Sequence, residues 1–159
     1  LSDALGVSWG KTLRAVAEAL PDGWANGVTV VQLNGGVSLN RRSGGAAGLA
    51  VTIAQRASGQ VSLLPSPAIL EHVETKQAIE GDRTVAAVLE EAADAQAFLF
   101  TAGPCTVGVS LDRLRGAARA IFVTAGPAKH DIARTVVTSG LCGVLVTDET
   151  TARALLEEQ

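Results

Sequence analysis

Apolar residues Leu13, Val16, Ala17 and Leu20 recur at i, i+3, i+4 and i+7, the spacing of one helix face. Ahead of them Leu5-Gly6-Val7 reads as a strand end, and a loop of small residues connects the two. The same alternation continues along the chain. After the turn signal Pro21-Asp22-Gly23, the β-branched run from Gly27 to Leu33 predicts a second strand that ends in Asn34-Gly35-Gly36. Gly44 to Ser58 predicts an Ala-rich helix broken at Gly59-Gln60, and Val61 to Leu64 a third strand stopped by Pro65-Ser66-Pro67. Ala68 to Gln77 predicts a helix with Ile69 and Val73 on one face, and Thr84 to Ala93 another that buries Val85, Val88 and Leu89. Ala97 to Thr101 is a fourth strand. Arg119 to Thr124 is a fifth, followed by Ala125-Gly126-Pro127 and a helix carrying Lys129, Ile132 and Val136. Cys142 to Val146 is a sixth, followed by Thr147-Asp148-Glu149 and a helix from Thr150 to Glu158 that buries Ala152, Leu155 and Leu156.

Strands that are apolar on both faces and alternate with helices imply a parallel sheet covered on both sides. The predicted fold is therefore α/β, Rossmann-like, a mostly parallel sheet with right-handed crossovers. Ligands of such sheets sit beyond the carboxyl ends of the strands, where the glycine-rich loops of this chain converge. One stretch fits badly. Thr101 to Leu111 passes from one strand end into an apparent second strand without a crossover helix, although a parallel pair needs a connection of roughly a dozen residues. Either the chain returns antiparallel here, or residues are missing near Pro104 to Thr106.

Composition narrows the function more than the fold. A chain of 159 residues predicts one domain with a core of its own, and 47% hydrophobic with 3% aromatic residues suits close packing of helices on a sheet. A net charge of −3 gives no electrostatic footprint for nucleic acid on this chain. Cys105 and Cys142 cannot build a disulfide framework and lack any metal-ligand spacing, so they read as reduced small hydrophobes in a cytoplasmic protein without a metal or cofactor. No apolar run reaches the ~18 residues of a membrane span, and no basic segment opens the chain as a signal peptide would. The chain begins at Leu1 and holds no Met, which predicts a piece of a longer protein.

The loop Gly6-Val7-Ser8-Trp9-Gly10-Lys11-Thr12 carries the most chemistry. It offers backbone N–H groups at a helix start, two hydroxyls and an ammonium, with glycines that let a ligand approach. That is the make-up of a phosphate-binding loop. It is equally the make-up of a plain strand-to-helix turn with a Ser or Thr cap.

The chain resembles the effector-binding domain of SorC-type (SorC/DeoR) transcriptional regulators. The resemblance rests on Gly6 to Leu13, Val31-Gln32-Leu33-Asn34-Gly35-Gly36, Leu64-Pro65-Ser66-Pro67, Ala125-Gly126-Pro127-Ala128-Lys129 and Leu145 to Ala152. It implies a fold like the sugar-phosphate isomerase, glucosamine-phosphate deaminase and CoA-transferase group. It also implies a phosphorylated sugar as effector, an N-terminal helix-turn-helix that is absent from this chain, and a homodimer or homotetramer. The chain departs from the family at Pro127, which replaces a glycine and removes an N–H donor, and at 104–106, where the family has a longer insertion.

On that resemblance Ser8, Gly10, Lys11 and Thr12 hold a phosphate with Lys129 nearby, in the loop opened by Gly6 and faced by Gly126. Asn34, Gly35 and Gly36 shape a second wall, and Asp148 and Glu149 accept bonds from sugar hydroxyls. Asp148 is equally placed to be a helix N-cap. Arg41 and Arg42 read as a solvated loop. His72 and His130 read as exposed and without a role, and Trp9 and Trp24 as core or interface residues. The rival is an isomerase or deaminase of the same fold, which needs a positioned acid/base pair that no loop supplies. A dinucleotide site is set aside because GxGxxG is missing after the first strand.

Overall fold

A computed structural model describes residues 3–36, 45–101, 108–115, 117 and 119–157. Six strands, β1 (Ala4–Val7), β2 (Thr29–Gln32), β3 (Gln60–Ser62), β4 (Ala97–Phe100), β5 (Arg119–Val123) and β6 (Val144–Val146), form one sheet in the order β3-β2-β1-β4-β5-β6. Every pairing is parallel. The helices are α1 (Lys11–Ala19), α2 (Gly45–Arg56), α3 (Val73–Glu80), α4 (Arg83–Ala93), α5 (Leu111–Arg115), α6 (His130–Thr138) and α7 (Glu149–Glu157), with a 3-10 turn at Pro127–Lys129 ahead of α6.

The period-2 alternation of the strands sends side chains to two separate cores. Val7, Val30 and Val123 meet Leu13 and Ala17 of α1 and Leu49 and Ile53 of α2 on one face. Phe98, Phe100, Ala120 and Phe122 meet Ala92 of α4, Leu114 of α5 and Ala133 and Val136 of α6 on the other. Phe100 and Phe122 lie 5.3 Å apart as a tilted ring pair. Phe98 and Phe122 are fully buried, so truncating either to Ala would cost about 3–5 kcal/mol.

Gly6 belongs to this packing and not to a ligand loop. It sits inside β1 opposite Val31 and Phe98. A Cβ there would lie 2.5 Å from the Leu33 side chain and 3.1 Å from the Phe98 ring, so any side chain at this position would push Leu33 aside in the core.

Three expectations are corrected. The helix expected from Ala68 starts only at Val73, and Ile69 and Val73 are exposed. Ala68 is held elsewhere, its N–H donating to Gly36 O at 3.0 Å. In α7 the fully buried residue is Thr151, while Leu156 is exposed. No strand runs to Leu111 among the described residues: Gly108 makes one antiparallel bridge with Asn34, Val109 N donates to Leu33 O at 3.0 Å, and α5 follows. Arg41, Arg42, Cys105 and the junction near 104–106 lie outside the described residues.

Candidate functional site

β1 and β4 are neighbours at the centre of the sheet, and the chain departs from them in opposite directions, β1 towards β2 and β3, β4 towards β5 and β6. The loops that follow the two strands therefore diverge and leave a crevice at their carboxyl ends. A cavity of about 580 Å³ lies there. Ser8, Gly10, Lys11 and Thr12 line it from the β1–α1 loop, Asn34 from the end of β2, Thr101 from the end of β4, and Lys129 from the 3-10 turn.

The start of α1 gives this cavity its electrostatic character. Arg14 is the first residue to close an intrahelical bond, its N–H donating to Gly10 O at 3.0 Å, so the N–H groups of Lys11, Thr12 and Leu13 precede the ladder. No side chain caps this end, and its first turn holds no acidic residue. Lys11 and Lys129 are exposed. Partial positive charge from the helix start and two lysines thus border one space.

Neighbouring side chains fix the loop. Ser8, buried, accepts from Thr101 N–H through Oγ at 3.1 Å, tying the β1 loop to the end of β4. Trp9 donates from Nε1 to Gly35 O at 2.8 Å. Gly35 in turn lies against the 66–67 backbone, where a Cβ would come within 2.5 Å of Pro67 O, and Gly36 N–H donates to Ser66 O at 2.9 Å. Gln32 bridges the wall behind, donating to Asn34 O at 2.8 Å and accepting from Leu64 N–H at 3.2 Å. Asn34 Oδ1 is buried and has no hydrogen-bond partner among the described residues.

The structure does not bring Asp148 and Glu149 to this cavity. Asp148 accepts from Thr151 N–H at 2.9 Å, Thr151 Oγ1 at 2.8 Å and Gly126 N–H at 2.6 Å. These bonds, the Thr151 backbone bond first, hold its pKa down at about 2. Three hydrogen bonds thus tie this carboxylate to the protein, one of them using the Gly126 N–H. Glu149 pairs with Arg153 at 2.7 Å on the surface. Trp24 packs against the α1–α2 core. His72 is exposed, whereas His130 is half-buried with Nε2 sealed and unpartnered among the described residues.

The roles of Trp9, Thr101 and Gln32 were not visible in the spacing of the motifs. Their hydrogen bonds join elements far apart in sequence. Only the polarity of Gln32 within an otherwise apolar strand could have marked it.

A family model described as "Putative sugar-binding domain" matches residues 2–105 and 102–157. The chain belongs to this sugar-binding domain family. The deoxyribonucleoside regulator of Bacillus subtilis (strain 168) is 26% identical over 203 residues, which cover 98% of this chain and 65% of that protein. The chain thus spans about two thirds of this curated relative. The full-length sorbitol operon regulator SorC of Klebsiella pneumoniae has the same fold, with a TM-score of 0.88 at 20% identity over 98% of this chain and 66% of that one. A probable sor operon regulator from Shigella flexneri gives 0.87 at 19% identity, over 98% and 80% of the two chains. The chain therefore has the fold of the corresponding domain of these two regulators. Its two matched pieces meet at 102–105, and the Bacillus alignment is longer than the 159 residues of this chain, so the relative carries extra residues within the matched span.

Proposed function

We propose that this sugar-binding domain senses a phosphorylated sugar and passes that signal to a DNA-binding helix-turn-helix outside the chain. The observation that carries the reading is the uncapped start of α1, opening with Lys11 and Lys129 into the cavity between β1 and β4. Ser8, Gly10, Lys11 and Thr12 bind the phosphate, Lys129 adds a point charge, and Asn34 meets the sugar. Gly35 and Gly36 shape the wall through their backbone. Gly126 and Asp148 act as a clasp for the Lys129 turn. The regulator assembles as a homodimer or homotetramer, because two-fold half-sites on DNA call for paired subunits. The short connection near 104–106 reflects residues that relatives carry and this chain lacks, a reading supported by the break in the family match.

A binding role is favoured over isomerase or deaminase chemistry by the cavity's own lining. Among the described residues no Asp, Glu or His lines it, so no carboxylate or imidazole is there to pair with Lys11 or Lys129 as acid and base.

Calorimetric titration with matched pairs of phosphorylated and free sugars tests the reading. The phosphorylated member should bind and raise Tm, since a ligand of the folded state stabilises it by RT ln(1 + [L]/Kd). Equal affinity for both members, or turnover of the phosphorylated one, would overturn it.

A further inference from the structure

Apolar side chains make up the larger part of the cavity's lining. Beside the two lysines, Asn34 and the hydroxyls of Ser8, Thr12, Thr101 and Thr135, the lining includes Phe100, Leu111, Leu114, Ile132, Val136 and Leu141. Leu111 is 55% exposed and Ile132 37% exposed, so large apolar side chains stand open at the mouth as well as inside. A bare phosphosugar meets such a wall poorly. Sugar hydroxyls placed against leucine and phenylalanine lose water and gain no partner. Asn34 lines the cavity, but no carboxylate among the described residues does, so hydroxyls find few acceptors there. Such a lining suits a ligand that carries an anionic group, a small polar part and an apolar group.

Resting on the reading of α1 as the phosphate subsite, we infer that the ligand is a phosphorylated sugar bearing an apolar group, as an aryl or alkyl glycoside phosphate does. The phosphate lies at the start of α1, the sugar beside Asn34, and the apolar group against Leu111, Ile132 and Phe100. Covering Leu111 and Ile132, the wall residues that stand exposed, removes apolar surface from water, and this gain is unavailable to an unsubstituted sugar phosphate.

The test titrates the 159-residue chain with inorganic phosphate and with hexose and pentose phosphates, each beside its own phenyl glycoside phosphate. At least one phenyl glycoside phosphate should bind tenfold or more tightly than its unsubstituted parent. Leu111→Ser and Ile132→Ser should abolish that gain, with inorganic phosphate binding and the melting curve of each variant showing that the fold and the phosphate subsite are intact. A panel in which no phenyl group adds affinity, or a gain that survives both substitutions, overturns the inference while leaving the phosphate reading intact. If no phosphate in the panel binds, inorganic phosphate included, the phosphate subsite itself is refuted and the inference falls with it.

Discussion

Two helices begin at the carboxyl edge of the sheet in opposite conditions. At α7 the chain supplies its own anion: Asp148 takes three hydrogen bonds, and Thr151 beneath it is fully buried. At α1 Gly10 supplies no side chain, the first turn has no acid, and the end faces a cavity with two lysines. α4 resembles α7, with Asp82 accepting from Thr84 N–H at 2.9 Å. A helix start that already holds a carboxylate has little left to offer a ligand, because its orphan N–H groups are satisfied and its partial charge is offset. The contrast therefore separates loops of similar composition into one that closes on itself and one left open to an outside anion.

Closing the open end should have the largest effect. Thr12→Asp places a carboxylate in the first turn of α1, beside the proposed phosphate. Two like charges about 4 Å apart repel by roughly 4 kcal/mol at an effective dielectric constant of 20. Phosphate-ligand affinity should then fall by a hundredfold or more, while Tm without ligand stays level or rises slightly because the new charge suits the helix end. Calorimetry beside a melting curve checks both; a variant that still binds like wild type would show that α1 is not the anion site.

Lys129→Ala is the next step down. Losing a charge-assisted hydrogen bond should weaken phosphate-ligand binding by about 1.5–3 kcal/mol. Stability without ligand should hardly move, since the side chain is exposed. Unchanged affinity would remove Lys129 from the site.

Asp148→Asn should act in reverse, on stability first. Losing the clasp lowers Tm by a few degrees at neutral pH, the usual consequence of weakening a cap. Because the Asp148 pKa is depressed to about 2, its stabilisation is present above the ordinary carboxylate value near 4. It is lost as pH falls from there through about 2, so the melting curves of wild type and variant should converge over that window. A Tm difference that persists unchanged below pH 2 would refute the ionic clasp.

The fold was legible where local pattern and tertiary packing agree. Leu13 and Ala17 keep helical spacing and fill one core, and the β-branched run around Val30 and Val31 lands in the sheet interior. The pattern failed where a distant contact set the local structure. Ala68 was expected in a helix, but its bond to Gly36 and the Gly36–Pro67 bridge hold it in the loop instead. The buried face of α7 was misjudged because the Asp148 clasp turns Thr151, a polar residue, inward. Residue type singled out the loop from Gly6 to Thr12 and the resemblance singled out Lys129, and the structure puts Ser8, Gly10, Lys11, Thr12 and Lys129 around one cavity. Its apolar wall was not readable, because Phe100, Leu114, Ile132 and Leu141 come from four separate segments and each looks like core.

The smallest effect belongs to Ser8→Ala, which tests how the open end is kept open. The Ser8 hydroxyl accepts from Thr101 N–H, and a hydroxyl that accepts one bond retains its own proton for another partner. Removing it leaves the Thr101 N–H without that acceptor at the end of β4. Stability should fall by about 1 kcal/mol, the ordinary net value of such a bond. If the hydroxyl proton also reaches the phosphate, affinity should drop by a further few-fold, and Ser8→Thr should restore part of both. A loss of stability with affinity untouched would confine Ser8 to joining β1 and β4, and the anion would then be held by the helix start and the lysines alone.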